Sequence, residues 1–385
     1  MPTAVIVDAV RTPLGRRNGK LKDWLPTDLA AHTLRSLVER NDLDPVLVED
    51  VIMGCVMQVG DQAVNIGRNA ALAAGFPEDV VGTTVDRQCG SSQQAAHFAA
   101  QGVIAGAYDV VIAAGIECMT RVPMGSSVLP GSNPFGTKML ERYPGLIPQG
   151  LSAEMIAEKW GLSREELDDF SYHSHAKAAR ATDEGRFEHE VVPVRVTTDD
   201  GIEEFAVDEG FRRDTSPEKL AQLKPTFKED GVITAGNSSQ ISDGAAASLI
   251  MSEEKANELG LTPRARFHEF ALAGVDPVIM LTGVIPATTK VLEKAKMNLD
   301  DIDLVEINEA FAPVVLSWAK EHSPDMEKVN VNGGAIAIGH PLGCSGSRLL
   351  ATLVNELDRT GGRWGLQTMC EGGGMANAMI IERLG

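Results

Sequence analysis

Short apolar runs and amphipathic stretches alternate along both ends of the chain. The strand-like runs are rich in aliphatic residues and lie at 4–10, 51–56, 83–87, 110–115, 265–272, 304–307, 364–370 and 376–382. Helical patterns separate them at 25–40, 65–74, 91–106, 286–295, 309–322 and 345–358, with Thr27 a candidate N-cap of the first. Such alternation predicts an α/β fold.

The pattern changes between 119 and 231. Proline and glycine cluster from 123 to 148, and helical patterns follow at 153–160 and 164–185. Ser163, with Glu166 three residues on, predicts a capping box for the second helix. A strand-like run at 191–196 and a charged segment come next. We interpret 119–231 as an insertion in an N-terminal half, 1–262, which is followed by a C-terminal half, 263–385.

The two halves show a weak internal similarity. In the first, a strand leads to CGSS at 89–92, then a helix and a strand that ends near Cys118. In the second, a strand-like 329–332 leads through a glycine turn to CSGS at 344–347, then a helix and a strand that ends at Cys370. This favours a duplication. Chance similarity of small-residue turns is the alternative.

Composition and charge exclude several classes of protein. Hydrophobic residues make up 43% and charged residues 23%, which is typical of globular proteins. No apolar stretch reaches the ~18 residues of a membrane span. No targeting pattern precedes the first strand, so we expect a cytoplasmic protein without membrane association. The net charge of −19 argues against a nucleic-acid partner.

The cysteines indicate neither disulfides nor metal binding. They are odd in number and widely spaced, at Cys55, Cys89, Cys118, Cys344 and Cys370. This pattern is not that of a disulfide framework, and without a C-x-x-C pair we expect no zinc site.

Cys89 is the first candidate for chemistry. It lies between a strand and a helix that begins near Ser91, where free backbone N–H groups and the helix dipole favour a thiolate. Gly90 leaves room for a substrate. An inert, buried cysteine is the alternative.

Three further residues are candidates. His340 lies in VNVNGGAIAIGHPLGCSG (329–346), fixed between glycine and proline, where it is either a base for a cysteine or a loop histidine. Cys370 opens CEGGGMANA (370–378), whose glycine N–H groups suit an oxyanion, although a core cysteine is the alternative. Asn308 opens NEAFAP (308–313) and is more simply interpreted as a helix cap than as a site residue.

Together these segments resemble the thiolases. The resemblance rests on those motifs and on TTVDRQCGSSQQA (83–95), EGFRRDTSPEKLAQLKPTF (209–227) and TAGNSSQISDGAAA (234–247), in the family's order along the whole chain. It implies two βαβαβαββ halves, each with a mixed five-stranded sheet, in an α/β/α/β/α stack with an inserted loop domain over the acyl-CoA site. It also implies a homodimer or homotetramer that uses acyl-CoA and CoA as substrates, with no other cofactor and no metal.

The resemblance also assigns roles to the candidate residues. Cys89 matches the nucleophile, and His340 matches the histidine that takes its proton and then helps to bind the thioester oxygen. Cys370 matches the acid/base at the α-carbon, and Asn308 matches the asparagine that holds a water in that oxyanion site.

Three more positions follow from the same match. The backbone N–H of Gly372, with that of Cys89, forms a second oxyanion site for the acyl-enzyme. Ser239 and Arg212 match positions that touch the pantetheine and adenosine ends of CoA.

Departures from the family pattern narrow the expected activity. Ser92 replaces a usual glycine after the nucleophile, and Pro148 and Gln149 replace a His-Met pair of members restricted to acetoacetyl-CoA. CEGGG and MTRVPMGSS (119–127) look like actinobacterial degradative thiolases. We therefore predict a degradative 3-ketoacyl-CoA thiolase, with bulky, steroid-derived acyl groups among its possible substrates. The alternatives are an acetoacetyl-CoA thiolase running condensation, a ketoacyl synthase, and a non-catalytic acyl-CoA or lipid carrier.

Overall fold

The computed structural model describes residues 2–198 and 201–385. The strands are β1 (Ala4–Arg11), β2 (Gly15–Arg16), β3 (Asp50–Gly54), β4 (Val81–Val85), β5 (Val110–Cys118), β6 (Val194–Thr198), β7 (Gly201–Phe205), β8 (Ser242–Ser252), β9 (Ala265–Gly274), β10 (Leu304–Ile307), β11 (Trp364–Glu371) and β12 (Met375–Arg383). The helices are α1 (Pro26–Arg40), α2 (Ile66–Ala73), α3 (Ser91–Ile104), α4 (Gly136–Arg142), α5 (Gln149–Lys159), α6 (Arg164–Asp183), α7 (Pro217–Ala221), α8 (Glu253–Glu258), α9 (Val284–Ala295), α10 (Ala312–His322), α11 (Ala335–Ile338) and α12 (Ser345–Thr360).

The main strands form one mixed sheet whose two ends have similar topology. Its order is β10-β11-β12-β9-β1-β8-β5-β3-β4. In the N-terminal half, β4, β3 and β5 are parallel and β8 is antiparallel to β5 and β1. In the C-terminal half, β10 and β11 are parallel, and β12 and β9 follow antiparallel. The halves join where β1 pairs with β9, at only Val5–Arg266 and Ile6–Ala265.

Helices fill the spaces on and between the two ends of the sheet. The helices α1 and α2 pack on the outer face of the N-terminal strands, and α9 and α10 pack with the outer face of the C-terminal strands. Between the two sets of strands lie α3 and α12, which contact each other. This arrangement confirms the predicted α/β/α/β/α layering.

The C-terminal half lacks the fifth strand that the family resemblance implied. The predicted strand at 329–332 is wrong, since Val329 makes only an isolated bridge to Val305. Asn330 explains this. Its φ is 44°, outside the extended region, and its side-chain amide bonds both the N–H and the C=O of Ile307, each at 2.9 Å. One backbone bond to β10 remains, from the N–H of Asn330 to Val305 O at 2.9 Å, and the side chain takes the place of the next bonds of the ladder.

The insertion carries its own elements. It contains α4 to α7 and the separate pair β6 and β7, and residues 199 and 200 lie outside the described part. Ser163 and Glu166 form the predicted capping box at the start of α6. The helix predicted at 153–160 begins earlier, at Gln149. The limits 119–231 and the boundary between 262 and 263 stay predictions.

Arg11 ties the insertion to the core. From β1 its guanidinium donates to Glu190 at 2.6 Å and to both oxygens of Asp208 at 2.7 and 3.0 Å. All three side chains are buried, so the cluster is enclosed in low dielectric. Burial and the two carboxylates act oppositely on Arg11, and the net effect raises its pKa above the ordinary value.

Two local predictions are corrected. Thr27 is not the N-cap of α1: Leu25 takes that position and Pro26 opens the helix. The strand β8 was not predicted. All its residues are buried, many of them alanine, so it shows no alternation of polar and apolar positions.

No helix in the described ranges is long and apolar enough to cross a membrane.

Candidate active site

Cys89 lies in a tight turn between β4 and α3. Gln88 before it adopts a left-handed φ of 48°, and its N–H donates to Asp86 Oδ1 at 2.7 Å. The Ser91 hydroxyl accepts from the N–H of Arg87 at 2.9 Å and donates to the C=O of Gln88 at 2.5 Å. These bonds hold a strained turn that presents the sulfur at the N-terminus of α3.

Burial dominates the electrostatics of this sulfur. It raises the pKa of Cys89 to about 12, with a smaller contribution of the same sign from Glu371. The Gln149 side chain and the N–H groups of Cys89 and Gly372 act in the opposite direction. The expected preference for a thiolate is therefore outweighed in the free protein, because desolvation exceeds the effect of the donors.

Cys370 is the last residue but one of β11 and lies near Cys89. It is fully buried, and burial raises its pKa well above the ordinary value, with Cys89 and Glu371 adding to the effect. Each sulfur thus lies within electrostatic reach of the other, although they are far apart in the chain. The glycine turn after it, with φ near 80° at Gly373 and Gly374, reverses the chain into β12.

His340 and Asn308 form a second pair. The imidazole Nε2 lies 3.3 Å from Asn308 Nδ2, and Nδ1 lies 2.6 Å from Ser345 Oγ. Because that hydroxyl donates to the C=O of Pro341, it must accept from Nδ1–H, which leaves Nε2 as the unprotonated nitrogen. Burial, with Arg348, lowers the pKa of His340 to about 3, so the ring is neutral.

Neighbouring strands bring the two pairs to one region. At the end of the parallel β10–β11 ladder, the Asn308 N–H donates to Thr368 O at 3.1 Å, two residues before Cys370. Leu342, two residues after His340, packs in one apolar cluster with Cys89 and others. These contacts bring the Asn308 turn to the end of β11 and the His340 loop to the apolar cluster that contains Cys89.

Sequence reasoning missed Glu117, which supports this region. From β5 its buried carboxylate accepts from the N–H groups of Val56, Met57 and Gly343 at 2.9, 3.1 and 2.8 Å. It also accepts from Gln62 Nε2 at 2.6 Å. Glu117 thereby fixes the loop that carries His340 to the N-terminal strands. An acidic residue inside an apolar strand was the available signal.

The family follows from comparisons with known proteins. The model of the thiolase N-terminal domain matches residues 4–254, and that of the thiolase C-terminal domain matches 261–383. The chain belongs to the thiolase family. A relative named steroid 3-ketoacyl-CoA thiolase FadA6, from Mycobacterium tuberculosis, is 51% identical over 393 aligned residues, covering 100% of this chain and 95% of the relative.

Two further similarities agree with this assignment. A 3-ketoacyl-CoA thiolase from Aliivibrio salmonicida is 47% identical, with full coverage of both chains. The crystal structure of a Bacillus anthracis acetyl-CoA acetyltransferase superposes with a TM-score of 0.92 at 41% identity, covering 100% of this chain and 99% of the other. The thiolase fold is thus confirmed.

Ser92, which departs from the thiolase pattern, packs between α3 and α12. Its side chain is buried, and its hydroxyl accepts from the N–H of Ser347 at 2.9 Å. Gly115 makes room for it, since a Cβ there would lie 2.6 Å from the Cβ of Ser92. The extra hydroxymethyl group therefore joins α3 to α12 and leaves the turn at Cys89 intact.

The two positions predicted to bind CoA have different surroundings. Ser239 is half-buried, and its N–H donates to Ala310 O at 3.0 Å in the turn that carries Asn308. Arg212 is exposed on the insertion, where its N–H donates to His175 Nδ1 at 3.1 Å. Their contacts with CoA stay predictions.

In 2–198 and 201–385, no cluster of three His, Cys, Asp or Glu residues has the arrangement of a metal site.

Proposed function

We propose that this thiolase is a degradative 3-ketoacyl-CoA thiolase. It cleaves a 3-ketoacyl-CoA with CoA to acetyl-CoA, or propionyl-CoA, and a shortened acyl-CoA through an acyl-cysteine. The observation that supports this proposal is that Cys89 and Cys370 are buried close enough to affect each other's ionisation, while a neutral His340, with Nε2 unprotonated, lies on a loop packed against the Cys89 cluster. A carrier has no need for that arrangement.

The first half-reaction uses all four side chains. Cys89 Sγ attacks C3 of the substrate while His340 Nε2 takes the thiol proton. Because the pKa values of the two groups lie far apart, this transfer proceeds only as the C–S bond forms. The C2–C3 bond breaks, and its electrons form an enolate at the thioester oxygen, which His340 and a water held by Asn308 stabilise. Cys370 then donates its proton to C2, which releases acetyl-CoA.

The second half-reaction restores the free enzyme. The Cys370 thiolate takes the thiol proton of incoming CoA, whose sulfur attacks the acyl-Cys89 carbonyl. The N–H groups of Cys89 and Gly372 stabilise the oxyanion, consistent with both groups favouring negative charge on the nearby sulfur. The Cys89 thiolate leaves and regains its proton from His340. Arg212 and Ser239 hold CoA in both steps.

Several observations favour degradation over condensation of acetyl-CoA. Pro148 and Gln149 replace the pair found in acetoacetyl-CoA-specific members, and Gln149 lies against the Cys89 sulfur. The next residue, Gly150, packs on the Phe227 ring, which contacts Phe311 edge to face at 5.9 Å. This apolar wall suits a bulky acyl chain. The name of the Mycobacterium relative supports the same substrate class.

A substrate panel tests the function directly. Thiolysis is measured with acetoacetyl-CoA, straight-chain 3-ketoacyl-CoAs and a ring-bearing 3-ketoacyl-CoA, and the acyl-enzyme is sought by mass spectrometry. We expect higher kcat/KM for the longer or bulkier substrates. A preference for acetoacetyl-CoA would instead favour the acetoacetyl-CoA thiolase, and absence of an acyl-enzyme with every substrate would favour a carrier.

Asn308→Ala should lower kcat for thiolysis by about 10²–10³-fold, because the water that Asn308 holds no longer donates a hydrogen bond to the enolate oxygen. KM should change far less, since the interaction forms mainly in the transition state. Steady-state kinetics measure both, and Asn298→Ala, at an exposed position, is the matched control. A kcat for Asn308→Ala within about threefold of the control would remove Asn308 from the mechanism.

The proposal extends to assembly and location, as a cytoplasmic homodimer or homotetramer without a resident cofactor or metal. The edge strand β4 and its neighbours support self-association, because Val81, Leu72 and Phe98 are exposed there. Apolar side chains beside an open sheet edge suit an interface. The net charge of −19 argues against a nucleic-acid partner.

A further inference from the structure

Glu371 is a buried carboxyl group at the catalytic centre that the mechanism above does not use. It follows Cys370 at the end of β11, is fully buried, and neither of its oxygens has a hydrogen-bond partner among the described residues. Its carboxyl group covers Gly90: a Cβ at that glycine would lie 2.1 Å from Oε1 and 2.9 Å from Cδ. The carboxyl thus lies directly over the residue that follows the nucleophile.

The groups that face this carboxyl do not neutralise it. The turn before α3 contributes Asp86, Arg87 and the Cys89 thiol, and β11 contributes the Cys370 thiol. From β12 the Asn377 amide is near, but it donates to Gly90 O at 3.1 Å. Arg87 favours the carboxylate, but burial outweighs it and raises the pKa of Glu371 to about 8. An unpaired buried charge is costly, so the neutral acid is the form that suits this site.

We propose that Glu371 is a positioning residue that controls the charge on Cys89, and that acyl transfer requires the Glu371 carboxyl to be protonated. The inference rests on the proposed function in one respect, the role of Cys89 as nucleophile. Ionised, the carboxylate opposes a thiolate at Cys89. It also opposes the oxyanion at the N–H of Gly372, which is the next residue along the chain. Protonated, it presents no charge to either.

The direction of the pH effect follows from this arrangement. At acid pH the carboxyl is neutral, and the uncharged amide introduced by Glu371→Gln would act on Cys89 in the same way. As the pH rises, the native carboxyl ionises and raises the pKa of Cys89. The fraction of Cys89 present as thiolate therefore increases less steeply with pH than it would for an isolated thiol. The difference between the native protein and Glu371→Gln therefore appears only on the alkaline side.

Alkylation of Cys89 by iodoacetamide tests this without any turnover. The rate is followed from pH 6 to pH 10 in the full-length protein by mass spectrometry of the Cys89 peptide. At pH 6 Glu371→Gln should react at the native rate. At pH 9 it should react about tenfold faster, since one unit in the pKa of a thiol is a tenfold change in thiolate. A structural defect would change both rates together.

Asp50→Asn is the matched control, because Asp50 is a buried carboxyl with a raised pKa that is remote from Cys89. Asp50 pairs with Val81 at the start of β4, whereas Cys89 follows the end of that strand. The Asp50→Asn variant should follow the native profile. Equal rate ratios at pH 6 and pH 9 in Glu371→Gln would overturn the proposal. The alkylation rate of Cys89 in Glu371→Leu must also rise at pH 9 relative to the native protein. If neither variant folds, the native protein alone provides the test: an alkylation profile that fits the titration of a single group overturns the proposal as well.

Thiolysis separates this inference from the proposed function. In the native protein kcat/KM should fall as Glu371 ionises above about pH 8, and Glu371→Gln should lose that decline. If alkylation of Cys89 follows the expected profiles but no 3-ketoacyl-CoA yields an acyl-enzyme, the control of Cys89 stands and the catalytic proposal fails. If an acyl-enzyme forms but Glu371→Gln leaves both profiles unchanged, the proposed function stands and the role of Glu371 fails.

Discussion

Cys89→Ser should reduce kcat for thiolysis by about 10⁴-fold or more, because the mechanism depends on a covalent bond at this atom. A serine hydroxyl is far less acidic than a thiol, and the neutral His340, with its pKa lowered to about 3, is too weak a base to activate it. Acetyl-CoA release in the absence of CoA should also disappear. Thiolysis kinetics and mass spectrometry of the intact protein measure both effects.

Cys344→Ser provides the matched control. Cys344 is buried at the N-terminus of α12, much as Cys89 is at that of α3, and burial raises its pKa to about 12 as well. Despite this similarity, we place it outside the reaction, so its replacement should leave an acyl-enzyme at Cys89. Turnover retained in Cys89→Ser, or an acyl group found on Cys344, would contradict the assignment of the nucleophile.

Arg11→Met should lower the free energy of unfolding by about 3–5 kcal/mol, the range found when one partner of a buried ion pair is removed. Methionine fills much of the volume, but Glu190 and Asp208 then remain buried without their cation. Since these carboxylates belong to the insertion, its packing against β1 should loosen first. Denaturant unfolding followed by circular dichroism measures the loss.

The deficit of Arg11→Met should depend on pH. Burial already raises the pKa of Glu190, and removal of Arg11 raises it further. A carboxyl with a raised pKa in the folded state favours folding while it is protonated, and that contribution is lost as pH rises. The free energy of unfolding of the variant should therefore be closer to that of the native protein at pH 5 than at pH 8.

Arg213→Met is the control, because it breaks an exposed bidentate pair with Asp183. It should unfold near the native midpoint of denaturant concentration. A loss of stability equal to that of Arg11→Met would refute the argument from burial.

The positions that the sequence identified well are those with strong local signals. The strand β10 was predicted within its observed bounds, and the Ser163 capping box needs only two residues at a fixed spacing. The turn that carries Cys89 was predicted because a strand, a glycine and a helix start surround it. His340, Cys370 and Asn308 were also candidates, but their predicted roles required the family resemblance, because no local pattern relates segments so far apart in the chain.

The features that were missed depend on contacts between distant segments. Asn330 replaces a predicted strand because its side chain reaches β10, and β8 is hidden by burial on both faces. The supports of the site, Ser345 behind His340 and Glu117 behind its loop, bond to residues that no local pattern relates. The raised pKa of Cys89 also arises from enclosure, which no short motif encodes.

The carboxylate of Glu117 has a consequence for the order of folding. Its donors on Val56, Met57 and Gln62 are synthesised before it, whereas the N–H donor of Gly343 emerges more than two hundred residues later. The N-terminal strands can therefore assemble around this side chain during synthesis, with one face of the acceptor still hydrated. The Glu117 carboxylate loses its remaining water only when the segment that contains Gly343 packs against it. The imidazole of His340, on the same segment, reaches its final position at that stage. The catalytic centre is thus among the last parts of the molecule to mature.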